Sequence, residues 1–200
     1  MRDLFEPDCY FHVFNHANGD ENLFRCRNNY FYFLEKYAEY IQPVAKTFCY
    51  CLMPNHFHFL LGIRSEEELV RSAENLTGFG NLSGLVEQPF SNFFNSYAKS
   101  FNRKYHRKGS LFNRPYKRKK VSSDDYLTKI IHYIHYNPVH HGFTENIEDW
   151  PYSSYKTILS DKPTLLYRET VLQWFGGRKE FIEFHQQIPD IEISKDFETA

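Results

Sequence analysis

Positions 44–63 read VAKTFCYCLMPNHFHFLLGI, in which two runs of apolar, aromatic and β-branched residues are separated by a short turn. The runs 44–52 and 56–63 have the composition of β-strands. Pro54-Asn55 between them is typical of a tight turn, because proline fixes its own backbone angle and asparagine tolerates unusual ones. The stretch therefore predicts a β-hairpin.

The second run of this hairpin opens on a candidate for chemistry, His56-Phe57-His58. Successive side chains on a strand point to opposite faces, so His56 and His58 share one face while Phe57 points the other way, towards the core. Two strand rises separate the two imidazoles by about 7 Å, and both can reach one metal ion. The ordinary alternative is a pair of histidines on the solvated face of a sheet.

The hairpin belongs to a longer alternation of strands and helices. Periodicity and turn signals predict a strand at 10–14, a helix at 28–40, the hairpin, and then a loop at 64–88 with at most a short helix. An aromatic-faced helix from Pro89 to Gly109 and a strand at 110–121 follow. The chain continues with a helix that has a capping box at 122–125 and ends at Pro138, and with a helix near 168–187. This order predicts an α+β fold with an antiparallel or mixed sheet of about four to five strands and helices on one face. We expect a core at 1–143 and a C-terminal appendage at 144–200 that ends in an acidic tail.

The bulk composition excludes several classes of protein. The chain has 200 residues, enough for the hydrophobic core of one domain, and no run of about 18 apolar residues that would span a membrane. We find no export signal, and four cysteines in a chain this long do not make a disulfide framework. We therefore expect a cytoplasmic protein without a membrane partner.

Charge is distributed unevenly along the chain. The net charge of −1 alone argues against nucleic-acid binding, but ten basic residues and no acid lie between positions 99 and 120. Salt screens each charge beyond roughly 10 Å, so a local patch matters more for phosphate binding than the total. We expect DNA phosphates to be bound by Lys99, Arg103, Lys104, Arg107, Lys108, Arg114, Lys117, Arg118, Lys119 and Lys120.

A second candidate for chemistry lies on the helix that ends near Pro138. In helical projection Tyr126, Tyr133 and Asn137 fall within about 40° of one another, at the border of the buried isoleucine stripe. Tyr133 and Asn137 are one turn apart and can point to the same spot. Tyr136 projects towards solvent and is a poorer nucleophile candidate. The ordinary alternative for Tyr133 is a half-buried tyrosine without a catalytic role.

Two other kinds of site use the same histidines. Cys49 and Cys51 could join His56 and His58 around a zinc ion, although Cys-x-Cys on a strand differs from the usual Cys-x-x-Cys knuckle. Alternatively, the two histidines could act as acid and base on an RNA phosphodiester without a metal.

Four segments resemble one family of nucleases, in the family's order. The segment MPNHFHFL at 53–60 resembles the His-hydrophobic-His signature of the HUH endonucleases. YIHYNPVHHG at 133–142 resembles the nucleophile helix of the single-tyrosine transposases, particularly the REP-associated tyrosine transposases. GSLFNRPYK at 109–117 and WPYSSY at 150–155 resemble further segments of that family.

The resemblance implies a ferredoxin-like HUH nuclease core, with Tyr133 as nucleophile and a Mg²⁺ or Mn²⁺ ion held by His56, His58 and Asn137. It implies a transposase-type enzyme that cuts single-stranded, hairpin-forming DNA through a 5′-phosphotyrosine intermediate and rejoins it. The alternative is a non-mobilising relative that only binds DNA hairpins. Relatives act as monomers or homodimers, and the longer C-terminal portion favours a monomer here. We also expect the acidic tail to fold over the basic groove.

Overall fold

Four strands form a single sheet in the computed structural model, which describes residues 3–73, 82–121 and 123–189: β1 (Tyr10–His16), β2 (Ala45–Met53), β3 (His56–Ile63) and β4 (Lys117–Val121). Their order in the sheet is β2-β3-β1-β4, and every neighbouring pair is antiparallel. The predicted hairpin is present as β2 and β3.

The helices are α1 (Arg27–Ile41), α2 (Glu66–Ala73), α3 (Leu82–Lys104), α4 (Asp124–His140), α5 (Tyr155–Ile158), α6 (Arg168–Phe175) and α7 (Arg178–His185), with a 3₁₀ turn at Ile147–Asp149. The succession β1-α1-β2-β3-α3-β4, with β1 and β3 central, is the ferredoxin-like arrangement. The predicted α+β class is therefore confirmed. None of the helices in the described part of the chain is both long and apolar enough to cross a membrane.

Helices cover both faces of the sheet, so the prediction of helices on one face is wrong. On one face, Phe57 and Phe59 of β3 pack with Phe33 of α1 and other aromatic residues of α3. On the other face, Leu60 of β3 packs in a cluster that includes Ile130 of α4. The physical reason is visible in β3 itself, which is buried along its whole length because both of its faces are covered.

Prolines mark helix boundaries less sharply than predicted. α3 begins at Leu82 and contains Pro89, because buried Val86 continues the helical spacing of Phe90 one turn further towards the N-terminus. α2 occupies part of the predicted loop at 64–88, whose residues 74–81 lie outside the described residues. α4 likewise continues past Pro138 to His140, since a proline this close to the end removes little of the helix's hydrogen bonding.

Two further boundaries differ from the prediction. β4 begins at Lys117 rather than near 110, because Asn113 bonds to His16 at the end of β1, Leu111 bonds to Asn18 beyond it, and Pro115 has no N–H to donate. The predicted single helix near 168–187 is two helices separated by Gly176, whose positive φ of 88° ends α6. Ser123 is the N-cap of α4 without a side-chain cap, and Ser122 of the predicted capping box lies outside the described residues.

Residues 144–189 pack directly on the sheet. The backbone of Leu52 donates to the Tyr152 carbonyl at 3.0 Å, and Tyr167 donates to the Thr47 carbonyl at 2.9 Å, so this region lines the outer edge of β2. Phe181 of α7 is buried in the same cluster as α4. Residues 190–200, which hold the end of the predicted acidic tail, lie outside the described residues.

Candidate active site

The two histidines of β3 lie beneath α4. His56 and His58 are each 2% exposed, and their ring centroids are 5.4 Å apart with the rings nearly perpendicular. They share a face of β3, as alternation along a strand requires. The alternative of two histidines on a solvated face is therefore wrong.

Three further histidines surround this pair. On β1, which is hydrogen-bonded to β3, His12 stacks on His58 with centroids 5.1 Å apart, and His16 stacks on His56 at 4.6 Å. His141, directly after α4, lies edge-on to His56 at 4.8 Å. Sequence reasoning missed these residues, although the even spacing of four between His12 and His16 places both on one face of the first strand.

Tyr133 lies against the same cluster. Its ring meets His58 edge to face at 5.7 Å and 88°, and meets His12 at 6.3 Å. The residue is 4% exposed, because α4 packs this side of its surface onto the sheet. Tyr136, three residues further along, is half-buried, and its ring contacts His132 instead.

Hydrogen bonds to neighbouring groups orient two candidate ligand atoms. The side-chain amide of Asn137 donates from Nδ2 to the Tyr133 carbonyl at 2.9 Å, which leaves the oxygen Oδ1 as its remaining polar atom. His56 donates from Nδ1 to the Asn55 side-chain oxygen at 2.7 Å, which leaves a lone pair on Nε2. Both Asn137 Oδ1 and His56 Nε2 are buried, and neither finds a hydrogen-bond partner within residues 3–73, 82–121 and 123–189.

The electrostatic environment keeps these imidazoles neutral. Burial, together with His16 and His141, lowers the pKa of His56 to about 2, even though the Asn137 side chain favours its charged form. Burial and His12 lower the pKa of His58 well below its usual value. Neutral imidazoles suit metal ligation, whereas the metal-free RNA mechanism requires one protonated histidine as general acid.

The donor set fits a divalent cation. Two neutral imidazoles and an amide oxygen are ligand types found around divalent metals. His56 Nε2 and Asn137 Oδ1 each offer a buried lone pair that no described residue engages in a hydrogen bond. No three His, Cys, Asp or Glu side chains in the described ranges are arranged to hold a metal, so an ion would rely on the Asn137 amide as third ligand. The same observation argues against the Cys49 and Cys51 zinc site, whose buried thiols have raised pKa values.

The predicted basic residues divide into three groups. Four are engaged within the protein: Arg118 is buried and pairs with Glu87 at 2.6 Å, Arg107 pairs with Glu21 at 2.6 Å, Lys120 pairs with Glu6 at 2.5 Å, and Lys104 donates to Cys26 Sγ at 3.5 Å. Lys117 and Lys119 lie opposite Phe14 and His12 on the histidine face of the sheet. The others are exposed and have no ion-pair partner in the described part of the chain: Lys99, Arg103, Lys108 and Arg114.

Comparisons with known proteins agree with these features. No family model matches the sequence. A protein of Haemophilus influenzae described as a REP-associated tyrosine transposase is 28% identical over 112 residues, which are 55% of this chain and 58% of that relative. The chain thus matches less than two thirds of the relative's length.

A solved structure gives a second match. The structure of a REP-associated tyrosine transposase bound to a REP hairpin superposes with a TM-score of 0.55 at 15% identity, covering 82% of this chain and 87% of that one. At this identity the match establishes the fold alone. Sequence and fold comparisons together confirm the resemblance to the REP-associated tyrosine transposases that the motifs at 53–60 and 133–142 indicate.

Proposed function

We propose that this chain is a transposase-type nuclease that cuts single-stranded, hairpin-forming DNA with Tyr133 as nucleophile. One observation carries the proposal: the Tyr133 ring stands edge-on against His58, 5.7 Å between centroids, and Asn137 follows one helical turn later. A phenol, two imidazoles and an amide oxygen are thus gathered on one side of the sheet beneath α4.

In this proposal the phenolic oxygen of Tyr133 forms a bond to phosphorus while the bond from phosphorus to the 3′ oxygen breaks. The products are a 5′-phosphotyrosine and a free 3′-hydroxyl; the phenol gives up its proton, and the leaving oxygen takes one up. The covalent ester remains a reactive phosphodiester, so a different 3′-hydroxyl can attack it and release Tyr133. Cutting and joining are therefore the same reaction in opposite directions.

His56 Nε2, His58 and Asn137 Oδ1 would hold a Mg²⁺ or Mn²⁺ ion. When bound, such an ion supplies positive charge that neutralises and orients the phosphate. For His58 to serve through Nε2, its Nδ1 must carry the proton and donate it to His12 Nε2, 2.9 Å away. Asn55 imposes the corresponding tautomer on His56.

Further observations support hairpin DNA as the partner and a monomer as the oligomeric state. The solved relative is bound to a hairpin, and Lys99, Arg103, Lys108 and Arg114 are exposed cations without ion pairs in the described ranges, as phosphate contacts require. Residues 150–167 bond along β2, so that edge is not open to a strand from a second copy, which favours a monomer.

The test is a denaturing gel after incubation with hairpin DNA and Mn²⁺. We expect a covalent protein–DNA adduct in the unchanged protein, none in Tyr133→Phe, and an undiminished adduct in the matched control Tyr136→Phe. An adduct that persists in Tyr133→Phe would contradict the nucleophile assignment. DNA binding without any adduct in the unchanged protein would instead favour the non-mobilising hairpin-binding alternative.

A further inference from the structure

A cavity of about 860 Å³ lies between α3 and the loop 109–116, outside the candidate active site. Ser91, Asn95 and Lys99 of α3 line one wall at intervals of four residues, so they form a polar stripe along one helix face. Asn113 and Arg114 of the loop line the opposite wall. The volume lies within the roughly 300–1,000 Å³ typical of ligand pockets.

Hydrogen bonds hold the loop in place, so the cavity is already shaped. Arg107 donates to the Asn102 side-chain oxygen at 2.9 Å and to the Ser110 carbonyl at 3.1 Å. Asn102 in turn donates to the Gly109 carbonyl at 2.9 Å. These bonds fix the start of the loop to the end of α3. Arg107 is therefore one of the residues that hold the loop in place.

The lining is positively charged with an aromatic wall. Lys99 and Arg114 are exposed and make no ion pair with any described residue. Glu87 also lines the cavity, but its carboxylate pairs with Arg118 at 2.6 Å. Phe94 and Tyr116 lie 5.1 Å apart between centroids on the same lining. Unpaired cations beside aromatic rings and amide groups suit a ligand that combines a phosphate with a flat base.

The cavity reaches the end of β1 on the face of the sheet opposite the histidines. Asn15 lines the cavity and donates from its side chain to the Asn113 carbonyl at 3.0 Å. The next residue, His16, points to the opposite face and stacks on His56 at 4.6 Å. The cavity and the histidine site thus meet the same end of β1 from opposite faces of the sheet. A DNA strand that leaves the histidine site would pass around this end of the sheet to enter the cavity.

We propose that this cavity binds an unpaired nucleotide of the DNA strand next to the phosphodiester that is cut, and that it selects which bases flank that site. Lys99 and Arg114 contact the phosphate, while Ser91, Asn95 and Asn113 offer donors and acceptors to the base edge. This inference rests on the proposed function, because it specifies the substrate of the same reaction.

The test measures DNA binding by fluorescence anisotropy in the Tyr133→Phe background, where no cleavage interferes. One probe is a labelled hairpin with a single-stranded flank of about six randomised nucleotides, a length suited to one single-strand site. The other probe is the same hairpin with no flank. The pocket variant is Lys99→Ala with Arg114→Ala, and the control is Lys108→Ala with Arg103→Ala, which removes two exposed cations outside the cavity lining.

We expect the pocket variant to lose about tenfold or more in affinity for the flanked hairpin and less than about twofold for the blunt one, because only the flank enters the cavity. The control should weaken both probes by similar factors, as general phosphate contacts do. Equal losses on both probes in the pocket variant, or no loss on either, would overturn the inference. These binding measurements are independent of the covalent-adduct assay, so a failure of this inference can be distinguished from a failure of the proposed function.

Discussion

His12 Nε2 and His58 Nδ1 lie 2.9 Å apart, and both residues are buried. One proton sits between the two nitrogens, so the tautomer of either ring determines that of the other. The pairing crosses two adjacent strands, β1 and β3, and therefore also fixes the orientation of the His58 ring. If His58 holds the proposed ion, His12 is placed to orient that ligand without touching the metal.

Replacing His12 with alanine should weaken metal binding rather than abolish the chemistry. We expect the Mn²⁺ concentration for half-maximal adduct formation to rise about 10- to 100-fold, while adduct formation largely recovers at saturating Mn²⁺. His140→Ala, which changes an exposed histidine at the end of α4, is the matched control and should leave both values unchanged. A His12→Ala protein that stays inactive at every Mn²⁺ concentration would rule out a positioning role.

Melting temperatures of Asn137 variants, measured with and without Mn²⁺ and in the absence of DNA, should show whether Asn137 is a metal ligand or only supports the fold. In Asn137→Asp a carboxylate replaces the amide in a buried position, so the metal-free protein should melt at a lower temperature and Mn²⁺ should raise its melting temperature more than that of the unchanged protein. In Asn137→Ala the Mn²⁺-induced shift should fall to near zero. Equal Mn²⁺ shifts in all three proteins would show that Asn137 is not a ligand.

A second histidine network, on the other side of α4, should make the protein sensitive to acid. His135 Nδ1 lies 2.9 Å from His185 Nε2, and His185 donates from Nδ1 to the Phe181 carbonyl at 2.8 Å. Burial lowers the pKa of His185 to about 3 and that of His132 to about 4, both below the value near 6.5 expected in the unfolded chain. Because the unfolded state binds protons first, the stability from these residues is complete above about pH 6.5 and decreases as the pH falls below it.

Urea unfolding at about pH 7.5 and about pH 5 measures this effect. A histidine that is neutral in the folded protein at pH 5 but protonated in the unfolded chain, such as His185 or His132, contributes about 2 kcal/mol to the difference in unfolding free energy between the two pH values. His185→Phe should therefore reduce that difference by about 2 kcal/mol, whereas His140→Phe, at an exposed position, should leave it unchanged. If His185→Phe and the unchanged protein lose the same stability on acidification, His185 is not protonated on unfolding in this range.

The packing of α7 should make the C-terminal region part of the same cooperative unit as the sheet. Phe181 is fully buried and contacts Tyr155 and Phe175, with ring centroids 5.6 and 4.9 Å away. Phe181→Ala should lower the free energy of unfolding by about 3–5 kcal/mol, within one transition monitored by circular dichroism. Phe31→Ala, at an exposed position on α1, should cost far less. Two separate transitions would show instead that the region beyond residue 143 folds independently.

The hairpin and the candidate residues His56, His58, Tyr133 and Asn137 are predicted from local periodicity and contiguous motifs, and the ferredoxin-like order is predicted from the family resemblance that those motifs carry. The sequence does not predict that His12 pairs with His58, since that contact depends on which strand lies beside β3. It also does not show that Arg118 is buried in an ion pair whereas Arg114 is exposed. The acid that engages Arg118, Glu87, is 31 positions away in the chain, and only the fold brings the two together.

The edge strand β4 has a consequence for the protein in the absence of DNA. Its residues Lys117–Val121 include four cations, and the Lys120 backbone donates to the Asp3 carboxylate at 2.7 Å, so part of its outer edge is already bonded. An edge of this kind repels another copy of itself and offers few free backbone donors to a growing β-aggregate. The cations and the bonded backbone of β4 therefore help to keep a strongly aromatic chain from pairing with its own copies.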